Sequence, residues 1–345
     1  MYFSASIVIA GLFASTQAAF TFSSGPGLTG GAKSVTIPAG QPTVVAASVA
    51  IPNTKTANIY PTTTNTNSSC PAVWTFISKE LTTLFVGNGQ CTDDARSAIR
   101  AVFHDCFPQG GCDGSLALFT EEVTRTENAP MQPTMNKLKA LAGKYKVSVA
   151  DMLMFAGSHA VISCPGGPVT KTYIGRKDAT APAPVGQLPA TNVSAAEAKW
   201  HFAAAGFSSQ DLAALIGSHS ASRQFNTDLT KVGAAQDNTP GFWDILYYAQ
   251  LIKKNAPFTF ISDSNLLADS STGSFMTTFS NNKNAWDTAF APAMAKMELM
   301  GDTFTQIDCT SALPKPVGGT FAFKRHTRSS QGRSIINSLR AARRA

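Results

Sequence analysis

The chain has 345 residues, is 43% hydrophobic and 14% charged, and carries a formal net charge of +7. That is long enough for one large domain or two intimate lobes, and too apolar for a chain without a core. Lys324, Arg325, Arg328, Arg333, Arg340, Arg343 and Arg344 account for the whole net charge, so the body is neutral and nucleic-acid binding by it finds no support.

In chain order, Ile7 to Ala14 is an apolar core followed by small residues at Thr16-Gln17-Ala18, so residues 1–18 read as a signal peptide. Residues 19–69 form a Thr-, Ser- and Pro-rich extension. In it "SVTIPAGQPTVVAASVAIP" has strand character and "YPTTTNTNSS" is low in complexity, suited to O-linked sugar. From Cys70 the pattern turns helical. "VWTFISKELTTLF" and "DDARSAIRAVFHDCF" repeat apolar residues at three and four. So do "TMNKLKALAGKY", "SVADMLMFAGSHAV", "AEAKWHFAAAG", "SSQDLAALIGSHSASR" and "NNKNAWDTAFAPAMAKMELMG". Long connections near 164–190 and 224–245 have the length of functional loops. The basic end, 323–345, is expected to be a solvated tail, or to adhere weakly to an anionic surface such as a cell wall. No second apolar run is long enough to span a bilayer, and the C-terminus lacks a lipid-anchor signal, so no membrane contact is expected.

Six cysteines in an exported chain imply three disulfides, with fifteen pairings open on counting alone. Asn67-Ser68-Ser69 and Asn192-Val193-Ser194 are glycosylation sequons, consistent with an extracellular location.

Of the five histidines, His159, His201 and His326 sit in ordinary surroundings. His104 does not. Arg100 and His104 are at i and i+4, on a helix face flanked by Ile99 and Phe103. An arginine bordering apolar packing needs a partner or a purpose. A histidine there can take a proton near neutral pH, and the arginine can steady charge developing on a leaving oxygen. His219 continues the stripe Leu212, Leu215, Ile216, either as a core histidine or as an iron ligand on the wall of an apolar cavity.

Oxygen-bearing side chains cluster beside both. Asp105, Asp113 and Ser115, with a carbonyl from Gly111, suit a hard cation such as calcium. Ser220, Asp237, Thr239 and Asp244 form a second such group. Short polar residues of this kind also cap loops, but two clusters, each tied to one of the unusual histidines, favour calcium.

Together these residues resemble the secreted haem peroxidases of the plant and fungal superfamily. "RAVFHDCF…GCDGS" is similar to that family's distal helix and calcium loop, and "DLAALIGSHSASR" to its proximal helix. "FAGSHAVISCPGGP", "GRKDATAPAP", "NTPGFWD", "FISDSNLLAD" and "AMAKMELMG…DCTSALPKP" follow in the family's order. The resemblance spans about 70–316 and marks a haem peroxidase domain at 70–322.

The resemblance implies a mainly α fold of two helical lobes sandwiching one haem b, braced by two calcium ions. His219 would be the axial iron ligand, with Asp263 accepting from its other ring nitrogen. His104 would shuttle the peroxide proton, Arg100 would stabilise charge, and Phe103 would pack above the haem. Asn128 would fix the tautomer of His104, supported by Glu122 or Glu127. Arg223 is similar to a haem-propionate partner. The first calcium would take Asp105, Gly111, Asp113 and Ser115, the second Ser220, Asp237, Thr239, Asp244 and the carbonyl of Phe242. Implied disulfides are Cys70–Cys309, Cys91–Cys164 and Cys106–Cys112. The last resembles plant class III enzymes, while the Asp-x-Thr step resembles fungal class II, so the chain is read as class II-like of the generic kind.

The resemblance further implies that hydrogen peroxide drives the enzyme to a ferryl centre with a porphyrin radical. Two one-electron steps then consume small phenolic or aromatic donors, and the enzyme is expected to act as a monomer. Positions matching a manganese site are Asp93, Ser97 and Phe225, so at most one carboxylate remains. Ala214 stands where lignin-oxidising relatives have a surface tryptophan. Gln236 stands where many relatives place an aromatic against the proximal histidine.

Three rivals are weighed. An intracellular class I peroxidase favours tryptophan at Phe103 and lacks the disulfides and calcium loops. A secreted haem-binding or wall-binding protein with little turnover would keep the scaffold without the chemistry. A zinc hydrolase lacks ligands at metal spacing around either histidine.

Overall fold

Residues 69–107, 111–301 and 303–316 are described by the computed structural model. The signal peptide, nearly all of the extension with its strand-like stretch and Asn67, and the basic tail lie outside them. Helix α1 (Val73–Phe85) follows the apolar stripe of its sequence and buries Trp74, Ile77, Leu81 and Phe85. Helix α2 (Asp93–Cys106) starts at Thr92, whose Oγ1 accepts from the Ala95 N–H at 3.3 Å. Asp93 and Asp94 then put negative charge in the first turn, where the helix dipole favours it.

The first lobe is built on helix α6 (Val149–Ser163), buried on every face along its length. Against it lie α1, α2 and α5 (Gln132–Tyr145), while the short helices α3 (Ser115–Leu118) and α4 (Thr120–Val123) close the lobe beside α5. The second lobe centres on α8 (Ser209–Leu215). Around it pack α7 (Ala195–Ala204), α11 (Ser270–Phe279) and α12 (Lys283–Met297). Helices α9 (Leu246–Lys253) and α10 (Ile261–Ala268) complete the lobe. Contacts of α12 with α2 join the lobes. Strands among the described residues are two antiparallel ladders of two residues a side: β1 (Val86–Gly87) with β2 (Gln90–Cys91), and β3 (Tyr173–Ile174) with β4 (Ile307–Asp308). The fold is mainly α, as expected. Disulfides join Cys70 to Cys309, Cys91 to Cys164 and Cys106 to Cys112.

Two departures from the sequence reading have physical causes. Periodicity carries one helix through Arg223, yet α8 stops at Leu215 and Ile216–Ala221 continue as a 3-10 helix. Tyr248 Oη donates to the Ala213 carbonyl at 2.7 Å and Trp286 Nε1 to the Ala214 carbonyl at 2.9 Å. Two rings thus claim carbonyls that would continue the α ladder. Gly217 permits their approach, because a Cβ there would collide with both. The second departure is α11, whose sequence SSTGSFMTTF has weak helix propensity. Its N-cap Asp269 accepts from the N–H groups of Ser271 and Thr272 at 3.0 and 3.2 Å, and packing on α8 does the rest.

Candidate active site

On α2, the i and i+4 spacing places the Nε of Arg100 2.9 Å from Nε2 of His104. Arg100 also donates to the Glu127 carbonyl at 3.1 Å. Because the arginine can only donate, Nε2 is the acceptor and the ring proton sits on Nδ1. Nδ1 in turn donates to Oδ1 of Asn128 at 2.7 Å, and the Asn128 amide donates to the Glu122 carbonyl at 2.9 Å. The backbones of Glu122 and Glu127 thus serve Asn128 and Arg100 respectively, and neither carboxylate bonds to Asn128. Burial, then the positive charge of Arg100, hold the pKa of His104 well below the usual imidazole value, against the bond to Asn128. It is therefore a neutral base. Beside it lies a small cleft lined by His104, Asn128, Arg125, Glu127, Pro184 and Leu188. Phe103 meets His104 edge-on at 5.7 Å and leads a phenylalanine cluster, Phe107, Phe202 and Phe207.

The Glu122 carboxylate turns the other way, accepting from Ser115 Oγ at 3.3 Å and from the Ala183 N–H at 2.6 Å. Asp105 accepts from the N–H groups of Gly114 and Leu116, at 2.9 and 3.1 Å, and Asp113 from that of Ser115 at 3.1 Å. Burial above all, with the nearby charges of Asp113 and Glu122, pushes Asp105 up to about 8 despite its backbone donors. Burial also raises Asp113 and Glu122. Gly111 has φ of 81°, and a Cβ on it would strike the Met300 carbonyl, so only glycine lets the loop pass there.

On the opposite lobe, His219 sits in the 3-10 extension of α8. Its Nδ1 lies 3.0 Å from Oδ2 of Asp263, which is fully buried on α10. That bond sets the proton on Nδ1 and leaves Nε2 with its lone pair. Tyr247 stands edge-on to the ring at 5.7 Å and Phe260 lies at 5.4 Å. Gln236 is buried with neither end of its amide hydrogen-bonded among the described residues. The aromatic neighbours of His219 come instead from α9 and from the start of α10, a contribution that sequence reading missed. Its signal was the Tyr-Tyr pair on the apolar face of "LYYAQLIK".

Next to His219, Ser220 Oγ donates to Asp237 at 2.9 Å and Thr239 Oγ1 to Asp244 at 2.9 Å. Phe242 closes the turn, its N–H donating to the Thr239 carbonyl at 2.9 Å. Burial and then the charge of Asp244 push Asp237 up to about 7, and burial raises Asp244. Arg223 donates to the Gly233 carbonyl at 2.9 Å and approaches Asp93 to 3.7 Å. Asp93 also pairs with Arg96 at 2.5 Å. Of the remaining histidines, His159 is buried, held by Ser78 and Ser163, and pushed down to about 4 by burial.

A peroxidase family model matches residues 77–282. The chain belongs to the peroxidase family. Fungal peroxidases are among its relatives. Manganese peroxidase H4 of Phanerodontia chrysosporium is 30% identical over 289 residues, covering 73% of this chain and 75% of the relative. A low-redox potential peroxidase of Taiwanofungus camphoratus is 29% identical, covering 70% and 78%. A peroxidase of Arthromyces ramosus is 26% identical, covering 86% and 84%. This peroxidase is thus a class II-like secreted haem enzyme, and membership implies haem b and calcium sites.

The residues present fit both groups. An imidazole with Nδ1 pinned by a buried carboxylate and a bare Nε2 is the donor that haem iron takes. Each oxygen cluster brings buried carboxylates together with hydroxyl or carbonyl oxygens, the ligand types that calcium takes. Among the described residues no group of three or more His, Cys, Asp or Glu is placed to hold a metal ion. No described helix is long and apolar enough to cross a membrane.

Proposed function

We propose that the chain is a generic secreted peroxidase in which His104, Arg100 and Asn128 activate hydrogen peroxide and His219 with Asp263 holds haem b. Small phenolic or aromatic donors are its reductants. The observation that carries the reading is the pair of differently anchored imidazoles, His104 on an amide and His219 on a carboxylate. Haem, when bound, accepts two oxidising equivalents from peroxide and returns to rest in two one-electron steps.

The rest is done by side chains. Peroxide displaces the bond between Arg100 and Nε2 of His104, and Nε2 takes the peroxide proton. Nδ1–H stays on Asn128, so the ring keeps its tautomer and orientation. Arg100, released from the imidazole, faces the negative charge that grows on the departing oxygen. His104 then returns the proton, and that oxygen leaves as water. Asp263 makes Nε2 of His219 a stronger donor by holding the proton on Nδ1. Phe103 would pack against the haem, and Arg223 would pair with a propionate. Asp105, Gly111, Asp113 and Ser115 are assigned to one calcium, and Ser220, Asp237, Thr239, Phe242 and Asp244 to the other.

Some relatives bear the name manganese peroxidase. Here Asp93 is paired with arginines, and its proposed companions are Ser97 and Phe225, so manganese is not assigned as a reductant. Residues 1–18 are assigned to export, 19–69 to an extension, 70–322 to the catalytic body and 323–345 to a basic tail without a catalytic role, with weak adhesion to an anionic wall as its alternative. Unchanged wall retention at low salt after deletion of the tail would remove that alternative.

The deciding experiment is an absorption spectrum of the purified protein before and after one equivalent of peroxide. A ferric Soret band that shifts, and returns on adding a phenol, is expected. A haem-loaded protein with no turnover above free haem would leave only a haem-binding scaffold.

A further inference from the structure

The proximal imidazole is the first ring of an unbroken aromatic file. From His219 the file runs to Tyr247 at 5.7 Å between ring centres, to Tyr248 at 5.1 Å and to Trp286 at 5.6 Å. It ends on Trp243 at 4.7 Å. All four side chains beyond His219 are buried. They include two of the chain's four tryptophans and two of its six tyrosines, in a protein with 22 phenylalanines. Phenol and indole rings lose an electron far more readily than phenyl rings. A core needing only bulk has no reason to order its oxidisable rings this way, and the distal cluster of Phe103, Phe107, Phe202 and Phe207 contains none.

The end of the file differs from its middle. Tyr248 and Trp286 give their protons to backbone carbonyls, Ala213 and Ala214, which cannot keep them. Trp243 Nε1 instead donates to Oδ1 of Asp287 at 3.3 Å. Asp287 also meets Lys283 at 2.5 Å, and both side chains are part-exposed, so a proton placed there can reach water. Trp243 and Trp286 lie stacked with 6° between their planes and 4.7 Å between ring centres, an overlap that favours electron exchange between two indoles.

We propose that Tyr247, Tyr248, Trp286 and Trp243 form an electron relay that moves one oxidising equivalent from the haem to Trp243 when no donor is present. The inference rests on the haem peroxidase reading above. In the step, one electron leaves the Trp243 indole and passes along the file to the cofactor that peroxide has oxidised. The Nε1 proton goes to Asp287, and a neutral indolyl radical remains. A later donor returns one electron, and Asp287 returns the proton. The relay parks oxidising power in the core of the proximal lobe instead of leaving it to attack the haem.

The test is freeze-quench electron paramagnetic resonance of the haem-loaded protein after one equivalent of peroxide without donor. The expected signal is an organic radical whose hyperfine pattern changes when tryptophan is ring-deuterated, and which is lost in Trp243→Phe. Asp287→Asn keeps the shape of the site but not its base, so there the signal should be lost or decay faster; this variant decides if Trp243→Phe does not fold. Both variants should oxidise a phenolic dye at the wild-type rate with donor in excess, and lose their Soret band faster in excess peroxide alone. Wild-type turnover with a radical that ignores deuteration, or that persists unchanged in both variants, overturns the relay alone. Absence of haem or of peroxide turnover in the wild type overturns the functional reading and the relay with it.

Discussion

The two faces of the proposed haem site are built from the same parts used differently. Each has an imidazole whose Nδ1 proton is held by a buried side-chain oxygen, at 2.7 Å on the distal side and 3.0 Å on the proximal side. The distal oxygen is the neutral amide of Asn128, so His104 gains orientation without gaining much basicity, and can both accept and release a proton. The proximal oxygen is the carboxylate of Asp263, which makes His219 electron-rich and suits it to a fixed metal bond. Their surroundings diverge in the same sense. Phenyl rings, inert to one-electron oxidation, flank His104. A phenol edge flanks His219 and opens the file to the stacked indoles. On the proposed reading the peroxide proton is handled on the distal face, and electrons travel through the proximal lobe, where one proton passes from Trp243 to Asp287.

The sharpest way to break the comparison is His104→Ala. Removing the distal base should slow formation of the oxidised enzyme by about 10²–10⁴-fold, read by stopped-flow with peroxide, while the resting Soret band stays. Near-normal rates would show that the imidazole on Asn128 is not the base.

Each face also leans on an oxygen cluster assigned to calcium, and here pH would separate the loaded from the stripped protein. Without cations, Asp105 and Asp237 stand at about 8 and about 7, far above an ordinary carboxylate. The folded chain then holds protons that the unfolded chain releases near pH 4, so stability falls as pH rises from roughly 4 to 8. Bound calcium reverses the sign, because it holds the carboxylates ionised and is lost as they protonate. Calcium at a hundredfold excess over its dissociation constant adds about 2.7 kcal/mol per site. A melting temperature that climbs with pH in calcium and drops with pH in chelator is expected. His159 acts alike in both forms, since a buried histidine at about 4 subtracts stability as pH falls below roughly 6.5. The same slope with and without chelator would show that the clusters hold no cation.

Asp263→Asn makes the proximal face imitate the distal one. It should weaken haem retention or the rate of oxidation by about 10–100-fold, the usual cost of losing a partner behind a metal ligand. Retention and rates within twofold of wild type would mean that the carboxylate is not what distinguishes the faces.

How much of this was legible depended on whether the signal was local. The stripe in "VWTFISKELTTLF" and the cap and acidic turn before "ARSAIRAVFH" are nearest-neighbour patterns, and α1 and α2 follow them. The pairing of Arg100 with His104 is likewise an i, i+4 relation. His104 with Asn128, and His219 with Asp263, are separated by 24 and 44 residues, and only the family resemblance suggested them. The support of Asn128 by the Glu122 carbonyl was invisible, because a backbone group has no letter in the sequence. The end of α8 at Leu215 was hidden for a related reason. Its cause is two rings from α9 and α12 that take its carbonyls, and a helical period carries no information about partners so distant.

The smallest expected effect lies where the two faces meet. Asp93 opens α2, the distal helix, yet its carboxylate also approaches Arg223, which follows the proximal histidine by four residues. With 77% of its side chain exposed, Asp93 sits in water that screens both ion pairs, so Asp93→Asn should cost no more than about 1 kcal/mol in chemical denaturation. It should also leave the response to added manganese unchanged, because Arg96 and Arg223 already neutralise the carboxylate, and Ser97 and Phe225 bring no second one. A saturable, manganese-dependent activity that vanishes in Asp93→Asn would mean that a single carboxylate at the meeting point, freed from its arginines, can recruit a cation. The comparison would then need a third region with a chemistry of its own.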